Sequence, residues 1–122
     1  MHELLEAAGT VLDDVVALRR DLHQNPELGL DNPRTQAMVL AALDGLPVDV
    51  RTGDGLTSVV ADLTGTTDGP TVLLRADTDA LPMTEDTDLD FRSAVDGRAH
   101  ACGHDAHTAM LVGAAKVLAA RR

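Results

Sequence analysis

Apolar side chains recur at helical spacing along the first 22 residues of this 122-residue chain. Charged residues such as Glu6, Asp13 and Arg20 fall between them. Because residues three and four positions apart share one face of a helix, the pattern predicts a single long amphipathic helix. Asn25-Pro26 should end it, since proline pushes the preceding residue out of the α region. The apolar stripe consists of Leu4, Leu5, Ala8, Val11, Leu12, Val15, Leu18 and Leu22.

Two further helices are predicted. One should begin at Asp31-Asn32-Pro33, because asparagine is a good helix cap and proline suits the first turn, and should end near Gly45 and Pro47. The other covers "DAHTAMLVGAAKVLAARR", which starts at Asp105. This stretch is apolar on nearly all sides and rich in small residues, so we expect it to pack closely against a sheet or another helix.

Three segments between these helices have β character, namely residues 48–51, 57–64 and 71–76. The Asp68-Gly69 pair favours a hairpin that joins the second segment to the third. The third segment, in "TVLLRAD", is apolar at consecutive positions, which is typical of a buried strand. Residues 78–98 have no clear period and predict a long surface loop, which is uncommon in a compact domain unless it is functional. The fold class is therefore α/β.

Composition narrows the nature of the core and of the partners. With one Phe and no Tyr or Trp, the core must be built from Ala, Val, Leu and a few Met. A net charge of −10 argues against nucleic acid or an anionic membrane surface as a partner. No stretch approaches the roughly 18 apolar residues of a membrane span, and the acidic N-terminus does not resemble a signal peptide. We therefore expect a cytoplasmic protein.

The stretch "HACGHDAH", residues 100–107, contains three of the five histidines and the only cysteine. On a helix, Cys102 and His104 would point roughly 200° apart, so they converge only if the chain is irregular there. Gly103 permits such an irregular turn, and Asp105 would then cap the following helix. A thiolate and an imidazole are both good ligands for zinc and similar metals.

Other interpretations of the cluster stay open at this point. Cys102 could be a small buried apolar residue among ordinary histidines, or a redox thiol, although no second cysteine is present to resolve it. A metal site is favoured by Asp77, which follows the predicted strand and could hold a ligating histidine in orientation. For Asp79, turn capping is the favoured interpretation. His23, in "LHQNPELG", is assigned no role because a helix stop explains that stretch.

Three stretches together resemble the N-terminal part of the M20 metallopeptidase family, in particular its amidohydrolases of N-acyl amino acids. They are "LHQNPELGLDNPRT", "LLRADTDALPMTED" and "GRAHACGHDAHTAMLVGAAKVLA", in this order. The resemblance implies a zinc-peptidase-like α/β catalytic domain with helices on a mixed sheet. Residues 1–122 would be its N-terminal portion, and the rest of that domain and a smaller dimerisation domain would be absent.

The resemblance also implies a site with two divalent metal ions, of which zinc or manganese is most expected. Cys102 would bridge the two metals, His104 would bind one of them, and Asp77 would be a catalytic-site residue near both. Arg75 stands where other branches have a metal-binding histidine, so it is not a ligand candidate. The remaining members of the motif would orient ligands or be structural; they are His100, Asp105 and His107.

The implied reaction is hydrolysis of the amide bond of an N-acyl amino acid or a related small amide. In the family, a glutamate from a Glu-Glu pair beyond this motif acts as general base, and Glu85 and Asp86 do not match it. We therefore expect residues 1–122 to be an inactive metal-binding segment of an enzyme whose full-length relatives are homo-oligomers. The alternative is a non-enzymatic protein that associates with a full-length homologue.

Overall fold

The computed structural model describes residues 2–122 and contains four helices and two strands in that range. Helices α1 and α2 come first, α3 and a β-hairpin follow, and α4 comes last after a long irregular segment. In chain order the elements are α1 His2–Thr10, α2 Leu12–Gln24, α3 Pro33–Leu43, β1 Asp49–Thr52, β2 Val59–Asp62 and α4 His104–Ala119.

The N-terminal helical region is interrupted, so the prediction of one long helix is wrong. Helix α1 ends at Thr10, and Val11 has non-helical angles (φ −107°, ψ 0°) before α2 begins. The hydroxyl of Thr10 donates to the carbonyl of Ala7 at 2.7 Å. Gly9 and Thr10 both have low helix propensity, and such a local bond to the backbone competes with the helical ladder.

The other helix predictions are confirmed. Helix α2 ends at Gln24, just before Asn25-Pro26. In α3, Pro33 occupies the first turn after Asn32, and the helix ends at Leu43, just before Gly45. The amide of Asn32 donates to Gly29 and Thr78, so its side chain secures the preceding loop and makes no cap bond to the helix.

The sheet of the described residues has two antiparallel strands, which differ from the predicted pair. β1 and β2 form the hairpin, with Asp49 opposite Asp62 and Thr52 opposite Val59. The first two β segments of the sequence are therefore confirmed as strands. The hairpin expected at Asp68-Gly69 is wrong.

Residues 71–76 are not a buried strand. They form no strand, and the side chains of Val72, Leu73 and Leu74 are 78%, 83% and 52% exposed. A run of apolar residues indicates that a segment favours burial. Forming a strand also requires another strand with which the segment can form hydrogen bonds. Nothing among residues 2–122 pairs with this segment.

Residues 78–98 are irregular as predicted, but the ends of this stretch are attached to the rest of the chain. Ala80 is buried and forms a parallel bridge with Leu28, and Leu81 pairs antiparallel with Ala99. These bridges bring the "RADTDALP" segment alongside the start of α4.

The core lies between the helices and is aliphatic, as the composition predicts. Val39, Leu43 and Val112 form its buried centre, and Leu18 and Val59 are among the residues packed around it. Helix α4 lies close to α2 at Gly113, where an added Cβ would lie 2.6 Å from Cγ2 of Val15. This close contact confirms the predicted packing of α4. No helix within residues 2–122 is long and apolar enough to cross a membrane.

Candidate metal centre

Cys102 and His104 flank the left-handed glycine that starts α4. Gly103 is the N-cap of the helix and has φ +83°, a conformation that other residues adopt only with strain. Cys102 lies before the cap with an exposed side chain, and His104 is the first helical residue. The irregular turn predicted at Gly103 is therefore confirmed.

His104 is oriented by the segment that contains Asp79. Its Nδ1 lies 2.8 Å from the carbonyl oxygen of Asp79 and 3.1 Å from Oδ1 of the same residue. Because both oxygens accept, Nδ1 carries the proton and donates it. In the neutral ring, Nε2 then keeps its lone pair, which is the usual preparation of a metal-binding histidine.

Asp77 lies two residues before this contact, and its side chain is 42% exposed and paired with Arg75. Its carbonyl oxygen accepts a hydrogen bond from the Thr108 hydroxyl of α4 at 3.0 Å. The contact that orients a histidine is thus made by Asp79, for which turn capping was favoured, and not by Asp77. The role of Asp77 in the site stays a prediction.

Asp105 is a buried anchor of α4 and not its cap. Gly103 takes the cap position, so the prediction of an Asp105 cap is wrong. The Asp105 side chain has no exposed area. Its Oδ2 accepts from Nε of Arg19 at 2.8 Å and from Nδ1 of His23 at 2.7 Å, whereas its buried Oδ1 has no partner among the described residues. A helix start favours a carboxylate at this position, but here two groups of α2 bind it.

His23, for which the sequence predicts no role, is a buried contact residue in the structure. The ring is buried, and its second nitrogen, Nε2, lies 3.0 Å from Oε1 of Glu85. Phe91 packs edge-on to the ring with the centroids 5.5 Å apart, and Arg19 lies 4.9 Å from the centre of Phe91. His23 therefore connects α2, α4 and the irregular segment that precedes α4.

Glu85 is held in its ionised form. Burial by itself raises the pKa of this carboxyl group, but the hydrogen bonds that it accepts outweigh that effect. The backbone N–H of Ser93 donates at 2.6 Å, the hydroxyl of Thr87 donates at 2.7 Å, and His23 adds a third bond. Together they lower the pKa of Glu85 to about 2.

The other two histidines of the cluster differ in environment. His100 is 5% exposed, and neither ring nitrogen has a hydrogen-bond partner among residues 2–122. Burial lowers the pKa of His100, and the Asp105 carboxylate only partly opposes this effect. His107 is exposed, with its ring centroid 6.0 Å from that of His104.

The described residues do not form a complete metal site. In the part of the chain that the structure describes, no group of three or more His, Cys, Asp and Glu side chains could hold a metal ion. A structural zinc ion takes about four protein ligands and a catalytic one about three. Cys102 and His104 have the chemistry of two of them, with His104 already oriented.

Sequence reasoning missed Arg19, His23, Asp79 and Glu85. A usable signal existed for two of these residues. Arg19 and His23 are one helical turn apart and adjoin the apolar stripe residues Leu18 and Leu22. Polar residues beside a stripe that faces a core need buried partners, so a carboxylate on a facing element could have been expected. No comparable sequence signal marks Glu85.

Comparisons with known proteins identify the family that this chain resembles. The family model for Peptidase family M20/M25/M40 matches residues 73–122, which include Asp77, Cys102 and His104. Thermostable carboxypeptidase 1 of Saccharolobus solfataricus is 49% identical over 107 residues, which make up 87% of this chain and 27% of that protein. N-acetylcysteine deacetylase of Bacillus subtilis is 43% identical over 88% of this chain and 29% of its own length.

A solved structure shows the same fold. The crystal structure of a dinuclear metal-binding peptidase of the M20 family from Bacillus subtilis matches with a TM-score of 0.85 at 41% identity. The match covers 90% of this chain and 31% of that one, so the chain spans less than a third of the length of these relatives. The predicted fold class, the N-terminal part of an M20 α/β domain, is confirmed. The chain belongs to peptidase family M20/M25/M40.

Proposed function

We propose that this chain supplies the metal-binding part of an M20 amidohydrolase that acts on N-acyl amino acids or related small amides. The orientation of His104 is the observation that carries the proposal. Its Nδ1 is bound by Asp79, which leaves Nε2 for a metal beside the exposed thiol of Cys102. The deacetylase relative supports the substrate class, because its name specifies an N-acyl amino acid.

In this proposal, Cys102 would be a thiolate ligand shared by two divalent metal ions, and His104 would be a ligand to one of them. Zinc suits the thiolate and the imidazole best, and manganese is the second choice. When bound, such ions lower the pKa of a water molecule and polarise the scissile carbonyl. Asp77, whose backbone carbonyl accepts a hydrogen bond from Thr108 of α4, would be a catalytic-site residue near the metals.

We further propose that residues 1–122 form the N-terminal portion of the catalytic domain and are inactive alone. The general base and the other ligands would come from residues outside these 122. Glu85 does not replace the base, because its oxygens accept hydrogen bonds from His23, Thr87 and Ser93. A carboxylate with a pKa of about 2 is also a weak base near neutral pH.

Equilibrium dialysis against Zn²⁺, after purification without chelator, tests the ligand pair. The chain should retain zinc, and Cys102→Ser and His104→Gln should each lose most of it. His2→Gln is the matched control, because His2 is exposed on α1 far along the chain from the turn. Equal retention by all four proteins, or none by the unmodified chain, would contradict the proposal.

A second candidate function is association with a full-length homologue, supported by the exposed run Val72–Leu74. Contiguous exposed apolar surface of this kind is common at protein–protein interfaces. Analytical ultracentrifugation with and without a full-length M20 relative distinguishes the two cases. Formation of a complex with the relative, and its loss in Leu73→Asp, would support the association. A chain that stays monomeric when the relative is added would contradict it.

A further inference from the structure

Two side chains of α2 hold the first turn of α4 from its buried side. Arg19 and His23 lie one helical turn apart, so they present their polar groups on the same face of α2. Both reach the same oxygen of Asp105, at 2.8 and 2.7 Å. Asp105 directly follows His104, so the carboxylate that they hold belongs to the same helical turn as a proposed ligand.

His23 also extends this contact to a third segment. An ionised carboxylate has no proton to donate and can only accept hydrogen bonds. The His23 ring, which binds the carboxylates of both Asp105 and Glu85, therefore donates from both of its nitrogens. Glu85 in turn accepts the backbone N–H of Ser93. The imidazole is therefore a rigid connection between α4 and residues 85–93.

We propose that His23 is a positioning residue: through Asp105 it fixes the turn that presents Cys102 and His104 to the metal. This inference rests on the proposed function of that turn. Within the turn itself, the amide of Gly103 makes only a long hydrogen bond, to the carbonyl of His100 at 3.3 Å. The carboxylate of Asp105, which is fully buried and accepts two bonds from α2, attaches the first turn of α4 to that helix.

The buried contact of Asp105 with Arg19 and His23 is not explained by stability alone. Buried charged groups lose their hydration, and well-packed apolar residues of similar volume often stabilise a protein as much or more. One oxygen of Asp105 stays buried without a partner within residues 2–122, which adds to the cost. What the polar contact adds is direction, since a hydrogen bond places its acceptor within a narrow range of distance and angle.

Two substitutions at residue 23 separate the two contacts. The amide nitrogen of asparagine lies where Nδ1 of histidine lies, so His23→Asn keeps a donor toward Asp105. The amide nitrogen of glutamine corresponds to Nε2, so His23→Gln keeps a donor toward Glu85 only. Positioning through Asp105 predicts that asparagine preserves the turn and that glutamine does not.

Amide hydrogen exchange without added metal measures the turn. The reporters are the amides of Gly103 and His107, and the β1–β2 hairpin is the internal control. In His23→Gln these reporters should exchange about tenfold faster, which corresponds to the loss of one hydrogen bond to a charged group. In His23→Asn they should match the unmodified chain, and the hairpin should be unchanged in both variants.

Equal exchange in the two variants, or acceleration that extends to the hairpin, would overturn the proposal. If His23→Gln does not fold, His23→Asn alone decides, because a tenfold acceleration there contradicts positioning through Asp105. A Zn²⁺ titration of the same proteins separates this inference from the proposed function. If the unmodified chain binds no zinc, the proposed function fails, whereas the exchange rates still show whether His23 fixes the turn.

Discussion

His104 donates from Nδ1 to the backbone carbonyl of Asp79 at 2.8 Å, with Oδ1 of Asp79 at 3.1 Å from the same nitrogen. The residue that orients the proposed ligand thus lies 25 positions earlier in the chain. The two bonds differ in kind, because one acceptor is fixed in the backbone and the other is a side chain that is 41% exposed. Most of the orientation therefore survives changes to the Asp79 side chain.

Asp79→Asn tests this division. The backbone carbonyl remains and the carboxylate charge is removed, so zinc affinity should fall by about tenfold, at the low end of the range for groups that hold a ligating histidine. Isothermal titration with Zn²⁺ measures the change, with Asp54→Asn in the exposed turn of the hairpin as the control. A loss of about a thousandfold would show that the carboxylate itself is a ligand.

Glu85 should make the folded chain less stable at acidic pH. Its pKa is lowered from 4.5 to about 2 in the folded chain, so the folded state favours the ionised form. The stabilisation is complete above the unfolded pKa near 4.5 and is lost as the pH falls toward 2. By linkage, this stabilisation amounts to about 3 kcal/mol.

Urea unfolding between neutral pH and pH 2 measures this effect. The free energy of unfolding of Glu85→Gln should change less over this range than that of the unmodified chain. Asp86→Asn, at an exposed neighbouring position, is the control and should keep the full pH dependence. Identical pH profiles for Glu85→Gln and the unmodified chain would contradict the hydrogen-bonded state of Glu85.

Gly113 permits the close approach of α4 to α2. An added Cβ would lie 2.6 Å from Cγ2 of Val15, and the branched valine has little freedom to move away. Gly113→Ala should therefore destabilise the chain by about 1–3 kcal/mol despite the better helix propensity of alanine.

Thermal or urea unfolding checks this prediction, and two variants serve as controls. Gly9 in α1 has no atom within 4 Å of an added Cβ, so Gly9→Ala should be neutral or stabilising by up to about 1 kcal/mol. Val15→Ala combined with Gly113→Ala should recover part of the lost stability. Similar gains for Gly9→Ala and Gly113→Ala would show that the helices are not in tight contact.

The sequence predicted those features that depend on local chemistry. Asn32-Pro33 begins a helix, Asn25-Pro26 follows the end of one, and Gly103 adopts the left-handed turn, all for reasons contained within a few residues. The break at Val11 was missed because the apolar stripe continues across it, whereas the weak helix formers Gly9 and Thr10 decide the local outcome.

Features that depend on contacts between distant segments were not predictable in the same way. Residues 71–76 have the pattern of a buried strand, but burial needs a partner that residues 2–122 do not provide. The bonds of Asp105 to Arg19 and His23 join positions more than 80 residues apart. The periodicity of α2 could show which face of this helix packs against the core. It could not show that Asp105 is the carboxylate that binds Arg19 and His23 there.

The central claim is that Cys102 and His104 bind a metal ion, and alkylation of Cys102 tests it most directly. Cys102 is the only cysteine of the chain, and it is exposed. Bound Zn²⁺ withdraws the thiolate from reaction. The rate of modification by iodoacetamide should therefore fall when Zn²⁺ is added, and the protection should largely disappear in His104→Gln. Equal rates with and without Zn²⁺ in the unmodified chain would contradict a metal site built on Cys102 and His104.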